Sequence, residues 1–276
     1  MTTPPARPAS ATRVRLARHS HRGVQRRDAW AAPEERLEVR LQWGDAGARR
    51  TQSVSITMRT PGHDFELAAG FLYGEGVVQA GAEIEAMAYC VEAEQRYNVV
   101  NVRLRPGTAF DPAALQRHFY ATSSCGVCGK ASLDALARIG CAPLPDGFEI
   151  AAERIGALPE ALRAAQPLFE RTGGLHAAGL FDEDGALHAL REDVGRHNAV
   201  DKVVGHALMH GGLPLGQRAL VLSGRAGFEL VQKALRAGIP VVVSVGAPSS
   251  LAVDLARRFN LTLLGFVGPE RFNAYS

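Results

Sequence analysis

The amino-acid sequence predicts an α/β fold with a smaller α+β domain in front of it, and two observations support this prediction. In the second half of the chain, three short apolar segments (218–222, 240–245 and 261–266) alternate with two segments of helical periodicity, 228–237 and 249–259. Strands that alternate with helices imply parallel strands joined by right-handed crossovers. In the first half, apolar and polar residues instead alternate with a period of two around glycine-rich turns, which is typical of antiparallel strands.

Local patterns in the first half predict a hairpin, a helix and two further strands. The hairpin joins 37–43 to 51–58 through a glycine-rich turn, and the helix begins at Asp64 and runs through about Tyr73. Together these elements predict a small α+β domain over residues 33–120. The two further strands and one more helix are expected at 84–90, 97–104 and near 112–119.

The second half begins with a hairpin and a helix ahead of the alternating strands. Segments 177–181 and 186–191 flank an acidic turn that ends in Gly185, which favours a hairpin. Helical periodicity then continues over 196–210 and stops at a pair of glycines. These elements predict an α/β domain that spans residues 121–276.

The N-terminal 32 residues differ from the rest of the chain in composition. The chain carries a net charge of +3, yet its first 30 residues hold seven arginines and a single acid, Asp28. The remainder of the chain is therefore mildly acidic. A basic segment that is rich in proline, alanine and threonine and poor in aromatic residues predicts a disordered, solvated tail over residues 1–32.

Composition also restricts the compartment and the class of protein. No apolar run approaches the ~18 residues that a membrane-spanning helix needs, and the polar N-terminus lacks the apolar core of a secretory signal. Four cysteines in 276 residues do not form a disulfide framework. We therefore expect a cytoplasmic protein that contacts no membrane and no nucleic acid.

Two of the cysteines, Cys125 and Cys128, form a Cys-x-x-Cys pair that Lys130 and a helical run follow. A thiol beside a lysine at a helix N-terminus has a lowered pKa, because the ammonium and the free backbone N–H groups stabilise the thiolate. Such a thiolate can attack sulfur, and a nearby second thiol can resolve the persulfide or disulfide that results. A Cys-x-x-Cys pair also supplies two of the four ligands of many zinc sites, although Cys90 and Cys141 do not form a second such pair. A zinc deaminase is excluded, because no histidine precedes a glutamate by two residues.

Four polar or glycine-rich segments lie at the ends of predicted strands. Segment 192–202 places seven polar side chains at a helix start, with His197 as a candidate acid, base or anion ligand. Segments 223–227 and 246–250 follow two parallel strands, where α/β sheets bind ligands, and their glycines and helix N-termini suit a phosphate. After the last strand, 265–273 offers an aromatic residue, a glycine turn and an arginine. The predicted ligand therefore bears phosphate, while capped helices and a packed C-terminus are the structural alternatives.

Taken together, these segments resemble one protein family. Similarity to the FdhD sulfur-carrier family covers TSSCGVCGK, FERTGGLHAAGLF, EDVGRHNAVDKVVG, LSGRAGFELVQKAL and VSVGAPSSLAVDLA, and in the first half MRTPGHDFELAAGFLYGEGVV. The resemblance runs from about Val39 to the C-terminus without large gaps and leaves out the arginine-rich head. It implies a cytidine-deaminase-like α/β/α layered domain for the second half.

The resemblance also implies a sulfurtransferase that serves formate dehydrogenase. Members of this family accept sulfur from a cysteine desulfurase as a persulfide. They pass it to the molybdenum cofactor that carries two molybdopterin guanine dinucleotides, with tungsten as the alternative metal. The expected partners are therefore a cysteine desulfurase and the catalytic subunit of formate dehydrogenase, and the chain is expected to form a homodimer and to hold no metal ion of its own.

By motif position, the resemblance implies specific site residues. Cys125 is the expected persulfide cysteine, and Cys128 is its companion in the same loop. The expected cofactor-binding residues are Phe266, Val267, Gly268, Pro269, Glu270 and Arg271. Basic side chains that are candidates for offsetting the charge of the bound cofactor are Arg196, Lys202, Arg225 and Arg271.

Two alternatives from other functional classes stay open at this point. A chaperone would bind the cofactor and deliver it without carrying sulfur on Cys125. A zinc-stabilised regulatory module would use the Cys-x-x-Cys pair as metal ligands.

Overall fold

The structure, a computed structural model, describes residues 11–21, 23–45, 47–90, 96–108 and 141–276. Within these ranges it contains twelve β-strands in three sheets and six α-helices. The predicted mixed α/β fold is confirmed. The helix expected near 112–119 and the Cys-x-x-Cys segment lie outside the described residues.

A two-stranded antiparallel ribbon precedes the two larger sheets. It consists of β1 (Thr12–Ser20) and β2 (Gly23–Ala31), and almost all of its residues are exposed. The structure differs here from the expected disordered tail, because residues 13–16 alternate arginine with an apolar residue, a strand pattern that the overall composition hides. The ring of Trp30 lies 4.7 Å from the Arg171 guanidinium and so attaches the ribbon to the rest of the chain. The proposed domain boundaries stay a prediction.

A four-stranded sheet with the order β4-β3-β6-β5 forms most of the first half. Its elements, with the helix that follows β4, are β3 (Glu35–Trp43), β4 (Arg50–Arg59), α1 (Asp64–Gly74), β5 (Ile84–Tyr89) and β6 (Val99–Leu104). The predicted hairpin and both later strands are confirmed, and β3 also pairs in parallel with β6. Leu37, Val39 and Leu41 share one face of β3 and are buried in a core that includes Leu67 and Leu72 of α1.

A six-stranded mixed sheet with the order β12-β11-β10-β9-β7-β8 forms the second half. Its strands are β7 (His176–Phe181), β8 (Leu187–Asp193), β9 (Ala219–Leu222), β10 (Val241–Ser244), β11 (Thr262–Gly265) and β12 (Asn273–Ala274). The three predicted parallel strands, β9 to β11, and the predicted hairpin of β7 and β8 are confirmed. Both β7 and β12 run antiparallel to their neighbours β9 and β11.

Helices cover both faces of this sheet. They are α2 (Ala152–Ala164), α3 (Pro167–Thr172), α4 (Arg196–Met209), α5 (Phe228–Arg236) and α6 (Ser250–Arg258), of which α2 and α3 were not predicted. Ala219 and Val221 pack in the cluster that contains α2, whereas Leu220 and Leu222 pack in the cluster that contains α1 and α4 to α6. In the described part of the chain, no helix is both long and apolar enough to span a bilayer.

Helices α1 and α4 cross in direct backbone contact, at Gly70 and Gly205. A Cβ atom on Gly70 would lie 1.9 Å from the Asp201 carbonyl oxygen, and one on Gly205 would lie 1.8 Å from the Glu66 carbonyl oxygen. Only glycine fits at either position, since real Cβ contacts are longer than 3 Å. The crossing joins the first half of the chain to the helical layer of the second.

Candidate functional site

Polar loops predicted from the sequence meet at one edge of the six-stranded sheet. The carboxyl ends of β9, β10 and β11 share this edge because these strands are parallel, and the start of β7 joins them because β7 is antiparallel to β9. The Ala177 N–H donates to Ser223 Oγ at 2.8 Å, and the Ser223 N–H donates to the Ala177 carbonyl at 3.1 Å. We call this edge, with residues 223–225, Gly246 and Phe266, the carboxyl edge.

The loops of the carboxyl edge are hydrogen-bonded side by side. The Gly246 N–H donates to the Gly224 carbonyl, and the Phe266 N–H donates to the Gly246 carbonyl, each at 3.2 Å. A Cβ atom at position 246 would lie 2.9 Å from Cγ of Arg225 and 3.1 Å from its backbone, so the close approach requires glycine. Phe266 adopts a left-handed φ of 53° and is 51% exposed. The edge therefore presents a fixed row of backbone groups beside an exposed aromatic ring.

Only two of the six expected cofactor-binding residues line a groove at this edge. Phe266 and Arg271 border a groove of about 450 Å³, which Val245 and Asn273 complete. Val267 instead points into the core, where it is 4% exposed.

The intervening residues form a turn that packs on α2. The Gly268 N–H donates to the Arg271 carbonyl at 3.1 Å. A Cβ atom on Gly156 of α2 would lie 3.1 and 3.2 Å from the carbonyl oxygens of Gly268 and Pro269. Pro269 and Glu270 are exposed on this turn. The turn thus fixes the relative positions of Phe266 and Arg271 at its two ends.

Cationic side chains and a neutral imidazole lie along the same edge. His176, at the start of β7, is half-buried beside Gly224, where a Cβ atom would lie 3.3 Å from the imidazole ring. Burial lowers the pKa of His176, and the charges of Arg196 and His197 lower it further. Arg225 is exposed, and the buried Nε of Arg196 has no hydrogen-bond partner among the described residues. These donors suit an anionic ligand.

Lys202 does not reach the carboxyl edge, which corrects its assignment as a cofactor-facing cation. It is 1% exposed, and its Nζ lies 2.7 Å from Oδ2 of Asp193 and donates to the Thr60 carbonyl at 2.9 Å. Asp193 is itself fully buried, and its Oδ1 accepts from the Gly195 N–H at 2.8 Å and from Asn198 Nδ2 at 2.9 Å. The pair therefore holds the loop before α4 in place rather than binding a ligand.

His197 and Asp201 share one face of α4, as their spacing predicts, but this face lines a second cavity. We call this cavity, about 300 Å³ in volume, the acid-lined cleft. No motif in the sequence predicts this cavity, although Glu229 and Lys233 on α5 have the same four-residue spacing as His197 and Asp201 on α4. Its lining residues are Val39, Ser55, Ile56, Thr57, Leu67, Phe71, Glu75, His197, Asn198, Asp201, Glu229, Gln232 and Lys233.

One ion pair and one hydrogen bond between a histidine and a carboxylate lie within the acid-lined cleft. Lys233 Nζ lies 2.6 Å from Oδ1 of Asp201, and both side chains are buried. His197 Nε2 lies 2.9 Å from Oε2 of Glu229, and this hydrogen bond lowers the pKa of Glu229. Burial lowers the pKa of Lys233, but Asp201, Glu75 and Glu229 outweigh it and raise the pKa overall. Burial also raises the pKa of Asp201, although the charge of Lys233 lowers it. The two side chains therefore depend on each other inside the cavity.

A further ion-pair cluster joins the two halves of the chain at Glu66. Arg191 donates to both carboxylate oxygens, at 2.5 and 2.7 Å, and His206 Nδ1 and His63 Nδ1 lie at 3.1 and 3.2 Å. Burial raises the pKa of Glu66, but the bonds from Arg191 and His63 outweigh it, so the pKa is well below the usual range. Because the folded-state pKa is lowered, this stabilisation is present above about pH 4.5 and is lost as the pH falls.

Replacing Glu66 with glutamine tests this pH dependence. We expect Glu66→Gln to lower the free energy of unfolding by about 2 kcal/mol at pH 7, since hydrogen bonds to a charged group are lost. The difference from the wild type should shrink as the pH falls below 4.5, because the Glu66 carboxyl group of the unfolded wild-type chain becomes protonated there while that of the folded chain stays ionised. Urea unfolding of both proteins at several pH values measures the difference in the free energy of unfolding. A difference that stays constant from pH 7 to pH 3 would contradict the lowered pKa of Glu66.

The expected catalytic cysteines, Cys125 and Cys128, lie outside the described residues, as does Lys130. Cys90 is half-buried and Cys141 is buried, and both are free thiols. Burial raises the pKa of Cys141. Among the residues that the structure describes, no three His, Cys, Asp or Glu side chains are grouped so as to hold a metal ion.

Comparison with known proteins places the chain in a family. Residues 33–276 match the model of the FdhD/NarQ family. The sulfur carrier protein FdhD of Streptomyces avermitilis is 52% identical over 249 residues, which cover 88% of this chain and 86% of the relative. The protein of that name from Mycobacterium tuberculosis is 49% identical over 275 residues, which cover 96% of this chain and 97% of the relative.

A solved structure gives the same result. The crystal structure of a candidate formate dehydrogenase accessory protein from Desulfotalea psychrophila matches 97% of each chain with a TM-score of 0.73 and 27% sequence identity. Both the sequence and the fold agree over nearly the whole chain. The chain belongs to the FdhD/NarQ family.

Proposed function

We propose that this protein is a sulfurtransferase that carries sulfur as a persulfide on Cys125 and delivers it to the molybdenum cofactor of formate dehydrogenase. The observation that supports this best is the carboxyl edge, where an exposed aromatic ring and Arg271 line a groove of about 450 Å³ and Arg225 is exposed nearby. A guanine base can stack on Phe266. Its phosphates can bind Arg271 and Arg225 through charge-assisted hydrogen bonds.

The names of the relatives support the sulfur-carrying part of the proposal. Sulfur carrier proteins are about half identical to this chain over most of its length. We extend their function to this chain and add a cysteine desulfurase as donor, the bis-molybdopterin guanine dinucleotide cofactor as acceptor, and the catalytic subunit of formate dehydrogenase as client. A cytoplasmic homodimer with a cytidine-deaminase-like second half completes the proposal.

The proposed reaction has two balanced steps. In the first, the Cys125 thiolate attacks the terminal sulfur of the desulfurase persulfide, and the desulfurase cysteine leaves as a thiolate. In the second, the Cys128 thiolate attacks Sγ of Cys125, and the terminal sulfur leaves as sulfide and binds the metal of the substrate cofactor. A disulfide between Cys125 and Cys128 remains, and a cellular dithiol must reduce it before the next cycle.

Intact-mass measurement tests the proposed function directly. After incubation with a cysteine desulfurase and L-cysteine, without reductant, we expect the protein to gain the mass of one sulfur atom. The gain should map to the peptide that contains Cys125 and should disappear with dithiothreitol. No gain, with a desulfurase that sulfurates another acceptor in the same assay, would favour a chaperone that holds the cofactor without carrying sulfur.

A further inference from the structure

The proposed sulfur transfer uses none of the residues that line the acid-lined cleft. It lies between β4 of the first half and helices α4 and α5 of the second, and none of its lining residues belongs to the carboxyl edge. A volume of about 300 Å³ lies at the lower limit of small-molecule sites. The cavity is therefore too small for a dinucleotide and of the size that one long side chain occupies.

The charges of the cleft favour a cationic ligand. Three carboxylates, those of Glu75, Asp201 and Glu229, line it together with a single ammonium, that of Lys233. Asp201 is already paired with Lys233, and Glu229 with His197. The Glu75 carboxylate makes no hydrogen bond or short ion pair within the described part of the chain, although its charge acts on Lys233. The three carboxyl groups of the cavity therefore outnumber its two basic side chains, Lys233 and His197.

Part of the lining of the cleft is apolar. Ile56 is 61% exposed although it lies in a strand, and Phe71 is half-buried beside the buried side chains of Val39 and Leu67. A methylene chain can pack along such a surface while its charged end reaches the carboxylates. Carboxyl groups and an apolar surface in one cavity suit a cation at the end of an alkyl stem.

We propose that the acid-lined cleft binds an arginine or lysine side chain of a partner protein, with the alkyl stem against Ile56 and Phe71 and the cationic end at Glu75 and Glu229. A guanidinium fits this arrangement best, because its planar set of N–H donors can bind two carboxylates at once. The cleft would thus serve as a docking site that is separate from the carboxyl edge.

Binding of capped amino acids to the full chain tests the proposal. N-acetyl-L-arginine amide is the probe, and N-acetyl-L-citrulline amide is its uncharged isostere. We expect saturable binding of the arginine probe in ligand-observed NMR titrations and at least tenfold weaker binding of the citrulline probe. Glu75→Gln should lower the affinity for the arginine probe at least fivefold. Equal affinity for the two probes, or no binding of the arginine probe at millimolar concentration, would overturn the proposal.

Two controls make the result specific to the cleft and to a protein side chain. Asp254→Asn removes an exposed acid from α6, outside the cleft, and should leave the affinity for the arginine probe unchanged. Agmatine carries the guanidinium and a free primary amine but has no backbone amide. It should bind no more tightly than the capped arginine. Tighter binding of agmatine would assign the cleft to a free amine and not to a partner.

The test is independent of the proposed sulfur transfer. Cys125→Ala should leave the affinity for the arginine probe unchanged, and Glu75→Gln should leave the gain of sulfur unchanged. Failure of one proposal would therefore not be mistaken for failure of the other.

Discussion

Replacing Cys125 with alanine is expected to abolish the gain of sulfur completely, while binding of the cofactor persists. In the proposed reaction the Cys125 thiolate is the nucleophile that accepts the sulfur, and alanine has no atom that can replace it. Binding of guanosine diphosphate, the nucleotide end of the cofactor, should stay within twofold of the wild type, because Phe266 and Arg271 are unchanged. Intact mass measures the first effect and isothermal calorimetry the second.

The reverse result is expected when Arg271 or Phe266 is replaced. Loss of a stacked base or of a charge-assisted hydrogen bond costs about 1–3 kcal/mol. Phe266→Ala and Arg271→Ala should therefore each weaken the binding of guanosine diphosphate by about fivefold or more and leave the gain of sulfur on Cys125 intact.

A matched cysteine control completes this comparison. Cys90 is half-buried in the first half of the chain, and Cys90→Ala should retain both the gain of sulfur and nucleotide binding. If a variant of Cys125 lost its affinity for guanosine diphosphate as completely as its gain of sulfur, a single site would accept sulfur and bind the nucleotide. The proposed division of roles between Cys125 and the carboxyl edge would then be wrong.

The second large effect is expected from Asp193. Asp193→Asn leaves the Lys202 ammonium buried without its counter-charge, and breaking a buried ion pair in this way costs about 3–5 kcal/mol. The loop before α4 should loosen as well, since the Gly195 N–H and Asn198 Nδ2 both donate to this carboxylate. The free energy of unfolding in urea measures the effect.

An exposed ion pair provides the comparison for Asp193. Arg154 and Asp184 lie 2.5 Å apart with side chains that are 49% and 72% exposed. Asp184→Asn should change the free energy of unfolding by about 0.5 kcal/mol or less, because exposed pairs contribute little. If Asp193→Asn and Asp184→Asn had the same free energy of unfolding, another group would be neutralising the buried Lys202 ammonium. The expected cost of breaking the buried ion pair would then be wrong.

The strands of the larger sheets could be predicted because local patterns specify them. The hairpin of β3 and β4 and the parallel strands β9 to β11 are apolar or alternating segments bounded by turn residues, and they fold as expected. Helix α2 was missed because it contains Gly156 and Pro159, two residues that normally disfavour a helix interior. The ribbon of β1 and β2 was missed because its arginine content points to disorder.

The site was predictable only in part, because its geometry depends on contacts between distant residues. The motifs identified the loops that meet at the carboxyl edge, but not which side chains face the groove. Lys202 follows Asp193 by nine residues, and nothing in that spacing distinguishes a buried pair from two surface charges. The acid-lined cleft combines β4, α1, α4 and α5, so no single segment of sequence could indicate it.

The glycine crossing of α1 and α4 restricts how the protein can open. At Gly70 and Gly205 each backbone fills the space that a side chain of the other helix would need. Rolling or sliding one helix over the other would drive carbonyl oxygens into backbone atoms, so a hinge at this point is sterically blocked. We therefore expect access for the proposed bis-dinucleotide cofactor to come from movement of the loops and not from a swing of one half of the chain against the other.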